Sequence, residues 1–246
     1  MAKQSQLFIG TSGWMYGHWR GKFYPQDLPE VKWLEYYAQN FPAVEINSSF
    51  YHLPRPQTFK NWAQRVPKDF LFAVKLSRFV THLKKLAVDT EPLTRFYSAA
   101  KNLGPKLGPI LVQLPPSLKF SQQKTTHFLL LCQKVFGQKQ PLTFEPRHPS
   151  WFQPESYRLL QKYQVALCWS DTPRYPYAEE VTADFVYIRL HGHEKLYASR
   201  YTLAQLRSYA QKIRTQLRAG RDVYVFFDND AHAYAVENAK ELQKLV

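Results

Sequence analysis

Cysteine is scarce in this chain: Cys132 and Cys168 are the only two among 246 residues, which excludes a scaffold built on disulfides. Their spacing matches no zinc or redox motif. Both are therefore expected as buried free thiols, one in a helix and one in a strand, of a protein kept in a reducing cytoplasm. No apolar run approaches the roughly 20 residues that a membrane helix needs, so no membrane partner is expected. Residues Met1–Gln6 lead straight into a first strand without the apolar segment of a secretory leader. Linkers, low-complexity runs and internal repeats are also missing, and one domain over residues 1–246 is the expectation. Acidic residues fall short as well. Lys plus Arg number 33 against 19 Asp plus Glu, a formal net charge of +14. Such an excess favours anionic partners, either a small anionic molecule or nucleic acid, although a generally basic surface produces the same total.

What is present is a regular alternation of strand and helix. Apolar runs at residues 7–10, 44–46, 70–75, 109–114, 165–169, 185–190 and 222–227 read as strands, and the fifth strand is the stretch 142–151, which starts apolar and gives way to loop at Pro146 and Pro149. Helical periodicity falls between them at 31–38, 58–65, 93–103, 121–135, 155–163, 202–217 and 231–245. Ser121 is placed to cap its helix, and Gly104 and Gly108 bracket a helix end. Strands separated by helices pair in parallel, because parallel neighbours need crossover connections. Eight such units in about 250 residues predict an α/β fold, a single (β/α)8 TIM-type barrel. An open doubly wound sheet is the competing architecture. It would normally carry a glycine-rich phosphate turn after strand one, and Gly10-Thr-Ser-Gly13 is not a full fingerprint.

In a barrel, functional side chains collect where strands end and βα loops begin. Those positions are polar here, while the opposite strand ends are apolar or simple turns. Leu142-Thr-Phe-Glu-Pro-Arg-His-Pro-Ser-Trp151 makes the change most sharply. Side chains alternate faces along a strand, so Thr143, Glu145 and Arg147 share one side, as do Glu45 and Asn47, and Arg189 and His191. Lys75, Arg147 and Arg189 are the candidate anion holders. Trp14, Glu45, Asn47, Gln113, His148, Asp228 and Asn229 complete the expected binding set. Glu145, His191 and Asp171 are the candidate acid–base groups should the mouth be catalytic. A purely structural ion network, in which Glu45, Lys75, Glu145 and Arg147 satisfy one another, is the bland alternative.

Other chemistries rank lower. His191-Gly-His193 offers two imidazoles, but three cations in the same mouth would repel a metal, and no metal or other cofactor is expected. No Gly-x-Ser-x-Gly elbow supports a serine nucleophile. Glu45 and Glu145 remain open as a carboxylate pair of glycosidase type. In the first loop, Trp14-Met-Tyr-Gly-His-Trp-Arg20 through Phe23-Tyr24 interleaves rings with cations. Those rings either stack on a ligand or plug the end of the barrel. The basic run from Lys75 to Lys85 is within reach of phosphates, whereas Arg207, Lys212, Arg214 and Arg218 belong to an outer helix.

Several of these segments together resemble the YecE-like family, known as domain of unknown function 72. They are Gly10-Thr-Ser-Gly-Trp14, Trp19-x-Gly-x-Phe-Tyr-Pro25, Glu45-Ile-Asn-Ser-Ser-Phe-Tyr51, Gln113-Leu-Pro-Pro116, Phe144-Glu-Pro-Arg-His-Pro-Ser-Trp151 and Arg189-Leu-His-Gly192. The resemblance covers nearly the whole chain in order. It implies a TIM barrel and carries no settled activity. One departure stands out: the family's last strand commonly ends Phe-Asn-Asn-Asp, whereas this chain has Phe227-Asp228-Asn229-Asp230.

Overall fold

Buried parallel strands need apolar side chains on both faces, and the β-branched and aromatic runs of this chain supply them. The computed structural model describes residues 5–246. Residues 1–4, over which the lack of a leader was read, lie outside the described residues. The strands are β1 (Leu7–Thr11), β2 (Ala43–Ile46), β3 (Leu71–Lys75), β4 (Leu107–Gln113), β5 (Leu142–Glu145), β6 (Val165–Leu167), β7 (Trp169–Asp171), β8 (Phe185–Leu190) and β9 (Asp222–Phe227). Between them run the helices α1 (Trp33–Asn40), α2 (Ser48–Tyr51), α3 (Pro56–Gln64), α4 (Thr90–Ala100), α5 (Gln122–Phe136), α6 (Pro154–Lys162), α7 (Leu203–Arg218) and α8 (Tyr234–Gln243). Each pairing between the named strands is parallel. The strands form two sheets, one of four in the order β1-β9-β8-β7 and one of five in the order β2-β3-β4-β5-β6.

The expected sixth strand is split in two. Cys168 keeps the pairing with β5, donating its N–H to the Phe144 carbonyl at 2.8 Å, while the next residue, Trp169, pairs with Ile188 of β8. A single extended segment therefore edges both sheets, and the change of partner interrupts the strand. At the other edges, Ser12 and Glu45 form a parallel bridge just past β1 and within β2. Gly10 makes that approach possible. A Cβ there would fall 1.9 Å from the Ala43 carbonyl oxygen, so any larger residue would wedge β1 off β2. Tyr37 of α1 seals the seam, accepting from the Thr11 N–H at 2.8 Å and donating to the Ala43 carbonyl at 3.1 Å.

The helix ends follow local chemistry. Ser121 caps α5, accepting from the Lys124 N–H at 3.4 Å, and Thr202 with Gln205 makes a capping box on α7. Asp89 caps α4, which begins at Thr90, three residues before the expected start at Leu93. Gly104 does break the chain, at φ 60°, but Gly108 lies inside β4, where the Leu71 side chain occupies the space a Cβ would need. The last helix begins at Tyr234 rather than 231 because Ala233 sits in the left-handed region, φ 66°. Two features went unexpected: the one-turn α2 beyond β2, and a π-helical turn at Phe79–Leu83. Among the described residues no helix is long and apolar enough to cross a membrane.

Two apolar layers result. The larger packs the helices on the outer faces of the sheets, with Phe144 against Phe128 of α5 and against Trp151. The smaller lies on the opposite faces and includes Phe8, Ala73, Leu111, Cys168, Tyr187 and Phe226. Each of those residues is followed two or four positions later, on the same face, by a polar group. Those groups form the site.

Candidate functional site

Arg189 lies at the centre. It follows Tyr187 on the inner face of β8, is fully buried, and has a carboxylate at each side of its guanidinium. Nε and Nη2 donate as a fork to Glu45 at 3.0 and 2.7 Å. Nη1 donates to Glu145 Oε2 at 2.7 Å, and Nη2 also reaches Asp228 Oδ2 at 3.1 Å. Bidentate, charge-assisted contacts of this kind are the strongest polar contacts a protein makes. The Tyr187 hydroxyl donates to Glu45 Oε2 at 2.6 Å, and the Ser12 hydroxyl donates to Oε1 at 2.8 Å.

Glu145 is equally surrounded. Its oxygens also take Gln113 Nε2 at 3.0 Å, Ser170 Oγ at 3.3 Å, His191 Nε2 at 3.2 Å and, more loosely, Arg147 Nη2 at 3.5 Å. Burial alone would lift its carboxyl. The Arg189 and His191 charges outweigh that and hold it well below the usual carboxylate range. Asp228 is held low for the same reasons, burial opposing and Arg189 prevailing. His191, with Nδ1 only 2.9 Å from Asp228 Oδ2, shows the converse. Burial and Arg189 push its imidazolium down, and Glu145 and Asp228 raise it above the ordinary histidine value. Asp228, which stands where the resemblance has an amide, thus adds a third negative charge beside Arg189 and helps raise the His191 imidazolium.

Lys75 differs from all of these. It ends β3 on the inner face with 9% of its surface exposed. Its carbonyl accepts from Ser49 Oγ at 2.6 Å, and its ammonium sits 4.4 Å over the Phe50 ring. Among the described residues, Nζ has no hydrogen-bond or ion-pair partner. Burial first, then the Arg189 charge, push its ammonium down to about 8. Arg147, which with Lys75 acts on His82, holds its guanidinium 4.6 Å over Tyr175, and its buried Nε has no hydrogen-bond partner. His82, on the π-helical turn, completes this cationic side. Burial, Lys75, Arg147 and Arg78 together drive its imidazolium down to about 4.

The structure thus brings together Glu45, Lys75, Gln113, Glu145, Arg147, Arg189, His191 and Asp228 of the expected set. It sends others elsewhere. Asp171 sits on the outer face of β7, where it accepts from Tyr209 of α7 at 2.9 Å and faces His193 Nδ1 at 3.2 Å. His148 is spent locally, its Nδ1 accepting the Ser150 N–H at 3.1 Å. Trp14 packs edge-on against Trp62 and Phe72. Its loop neighbours Trp19, Phe23 and Tyr24 bury one another and pack against Trp33 and Tyr36 of α1, with Trp19 tied to Asp230 at 2.6 Å. Asn229 is fully buried, donating to Ser199 and Asn238 at 3.0 Å each. Asn47 is half-buried, and its amide oxygen has no hydrogen-bond partner. Sequence reasoning missed His82, Phe50, Tyr187 and Ser170 as site residues. The two-residue alternation from Arg189 would have found Tyr187, and that from Cys168 would have found Ser170.

Comparison with known proteins gives the same picture of the chain as a whole. It is 25% identical to the UPF0759 protein YunF of Bacillus subtilis, an alignment covering 98% of this chain and 94% of that one. It is 27% identical to the UPF0759 protein YecE of Escherichia coli, over 59% of this chain and 50% of the relative. Among solved structures, a DUF72 family protein from Thermotoga maritima superposes with a TM-score of 0.85 at 29% identity, covering 98% of both chains. One from Enterococcus faecalis reaches 0.82 at 21% identity, over 98% of this chain and 95% of the other, a likeness of fold. The family described as "Protein of unknown function DUF72" matches residues 8–246, and the chain belongs to it.

Proposed function

We propose that the two sheets close into one (β/α)8 barrel, a single domain, whose C-terminal mouth binds a small anionic molecule through Lys75 and Arg147. Closure is supported by the segment around Cys168, which borders both sheets, and by the Ser12–Glu45 bridge at the opposite seam. The observation that carries the binding reading is a division of labour among the cations. Arg189 uses its N–H groups on Glu45, Glu145 and Asp228, so it is a foundation rather than a ligand holder. Among the described residues Lys75 Nζ makes no ion pair or hydrogen bond, and Arg147, beyond its contacts with Tyr197 and Tyr175, keeps a buried Nε without a partner and a 3.5 Å contact to Glu145. A buried ammonium without a partner costs several kcal/mol, and an anion seated between it and Arg147 would remove that cost. His82 agrees with the same place: burial lowers its imidazolium first, and Lys75, Arg147 and Arg78 lower it further.

Binding is favoured over hydrolysis. Glu145 is ionised and already accepts from Arg189, Gln113, Ser170, His191 and Arg147, which suits a positioning role better than proton transfer. Asp171 faces away, toward Tyr209. A pair of largely buried cations also suits a single phosphate or carboxylate better than a polynucleotide, which needs an exposed basic track.

Calorimetric titration with inorganic phosphate and with sulfate tests the reading. Saturable binding is expected, weakening as sodium chloride rises. Lys75→Met and Arg147→Met should each weaken it by about tenfold or more, the equivalent of one charge-assisted hydrogen bond. Binding that ignores salt and survives both substitutions overturns the proposal.

A further inference from the structure

We infer that Lys75 is a nucleophile that forms a Schiff base with a small carbonyl compound bearing an acidic group, such as a 2-oxo acid. The inference rests on the anion-binding reading and adds to it a covalent step at the same site. A lysine that only holds charge is normally paired with a carboxylate. Three carboxylates lie in this mouth, and all of them are engaged by Arg189. The Lys75 amine has no such partner; it rests on the face of Phe50 with its stem buried. Apolar surroundings and neighbouring cations are the two conditions that keep an amine neutral, and therefore nucleophilic, near physiological pH. Both are met, by the burial of the side chain at 9% exposure and by the Arg189 charge, and the depressed ammonium agrees even though the Phe50 ring face favours the cation. The backbone at the end of β3 is held by the Ser49 hydroxyl on the Lys75 carbonyl, so the amine has a fixed origin.

The step balances without an oxidant or reductant. The neutral amine attacks the carbonyl carbon, a C–N bond forms, and the C=O π pair moves to oxygen. A proton passes from nitrogen to that oxygen to give the carbinolamine. Protonation of its hydroxyl and loss of water leave the C=N iminium. Overall, an ammonium and a carbonyl give an iminium and one water. Arg147 would hold the acidic group of the same compound, which is why an oxo acid is preferred over a simple ketone.

The experiment is reductive trapping on the native full chain. Pyruvate and uncharged hydroxyacetone are each incubated with the protein at pH 7.5 and sodium cyanoborohydride, and the adduct is located by peptide mass spectrometry. Pyruvate should label Lys75 at least about tenfold more than any surface lysine, because near that pH a lysine lowered to about 8 holds far more neutral amine than an ordinary one. Excess sulfate should suppress the labelling, and Lys75→Arg should abolish it while circular dichroism stays native. If hydroxyacetone labels Lys75 as well as pyruvate does, the nucleophile stands and the anion reading falls. If sulfate binds yet Lys75 is labelled no more than surface lysines, the nucleophile is refuted and the anion reading stands. Mapping on the native chain decides the matter even should the variant fail to fold.

Discussion

Replacing Arg189 with methionine is the most severe test of how the site is built. The substitution keeps the length of the side chain and deletes the charge that Glu45, Glu145 and Asp228 share. Glu45 and Glu145 are buried, at 0% and 1% exposure, so water cannot replace the lost donors. Removing one partner of a buried pair costs about 3–5 kcal/mol, and here several acids lose the same partner. The expected loss at pH 8 is therefore at least that size, against a typical total stability of about 5–15 kcal/mol. In a chain of this length it corresponds to a fall in Tm of roughly 6–20 °C.

The pH dependence makes the experiment specific. In the wild type, Glu145 and Asp228 are held below their ordinary values. Their contribution is complete above the unfolded carboxylate pKa, near 4, and is lost as pH falls through the depressed folded values. Without Arg189, burial dominates and lifts both carboxyls. The variant's penalty is then largest when they are charged, at high pH, and shrinks as they take up protons. Urea unfolding at pH 8, 6.5 and 5 should show the gap between wild type and Arg189→Met narrowing steadily. Arg189→Lys, with a point charge in place of a fork, should lie between the two. A loss below about 1 kcal/mol at pH 8, or a gap that does not change with pH, would refute the claim that Arg189 is the foundation of the site.

Lys75→Met should have the opposite sign. Because the folded ammonium is lowered to about 8, the wild type carries the full penalty of the buried charge below that pH and sheds it as pH rises toward the unfolded value. The variant should be more stable by about 1–3 kcal/mol at pH 7, the advantage disappearing above about pH 10; a destabilised variant would show that Lys75 has a counter-ion after all. Asp228→Asn should lower the His191 pKa by about one unit, followed by NMR of its ring protons, since Asp228 is one of the two groups raising it. An unshifted titration would leave Glu145 as the sole cause. Gly10→Ala should cost about 3 kcal/mol or more in denaturant unfolding, because the added Cβ would meet the Ala43 carbonyl at 1.9 Å; an unchanged midpoint would mean that β1 and β2 can part freely.

The alternation of strand and helix was legible because parallel strands leave long apolar runs, and the polar strand ends were legible as the places where those runs stop. The inner-face groupings followed from the two-residue period, which put Glu145 with Thr143 and Arg189 with His191. Partner choice did not follow. Arg189, rather than Arg147, takes the carboxylates because β8 pairs with β7 and β9, which brings Ser170 and Asp228 to its flanks. Register between distant strands is a tertiary fact. Asp171 was hidden for the same reason. Ser170 stands opposite Arg189 in the β7–β8 register, so its neighbour Asp171 must face outward to α7. His82 was hidden for another reason: a π-helical turn inside a connecting loop leaves no periodic signature.

Net charge was the weakest guide of all, and the structure explains why. Within the site, Lys75, Arg147 and Arg189 stand against Glu45, Glu145 and Asp228, so the formal charges balance apart from whatever proton His191 carries. The formal excess of +14 therefore lies outside it. Part of it is on α7, where Arg207 and Arg218 are exposed and Lys212 meets Glu179. Such a surface raises the local concentration of anions and their rate of arrival, an effect that salt screens within about 10 Å. On the proposed reading, recognition would depend instead on how the balanced charges are distributed: three acids gathered on Arg189, with Lys75 and Arg147 left to a ligand. A mouth can be neutral in sum and still select an anion, provided its negative charges are already committed to a cation that no ligand reaches.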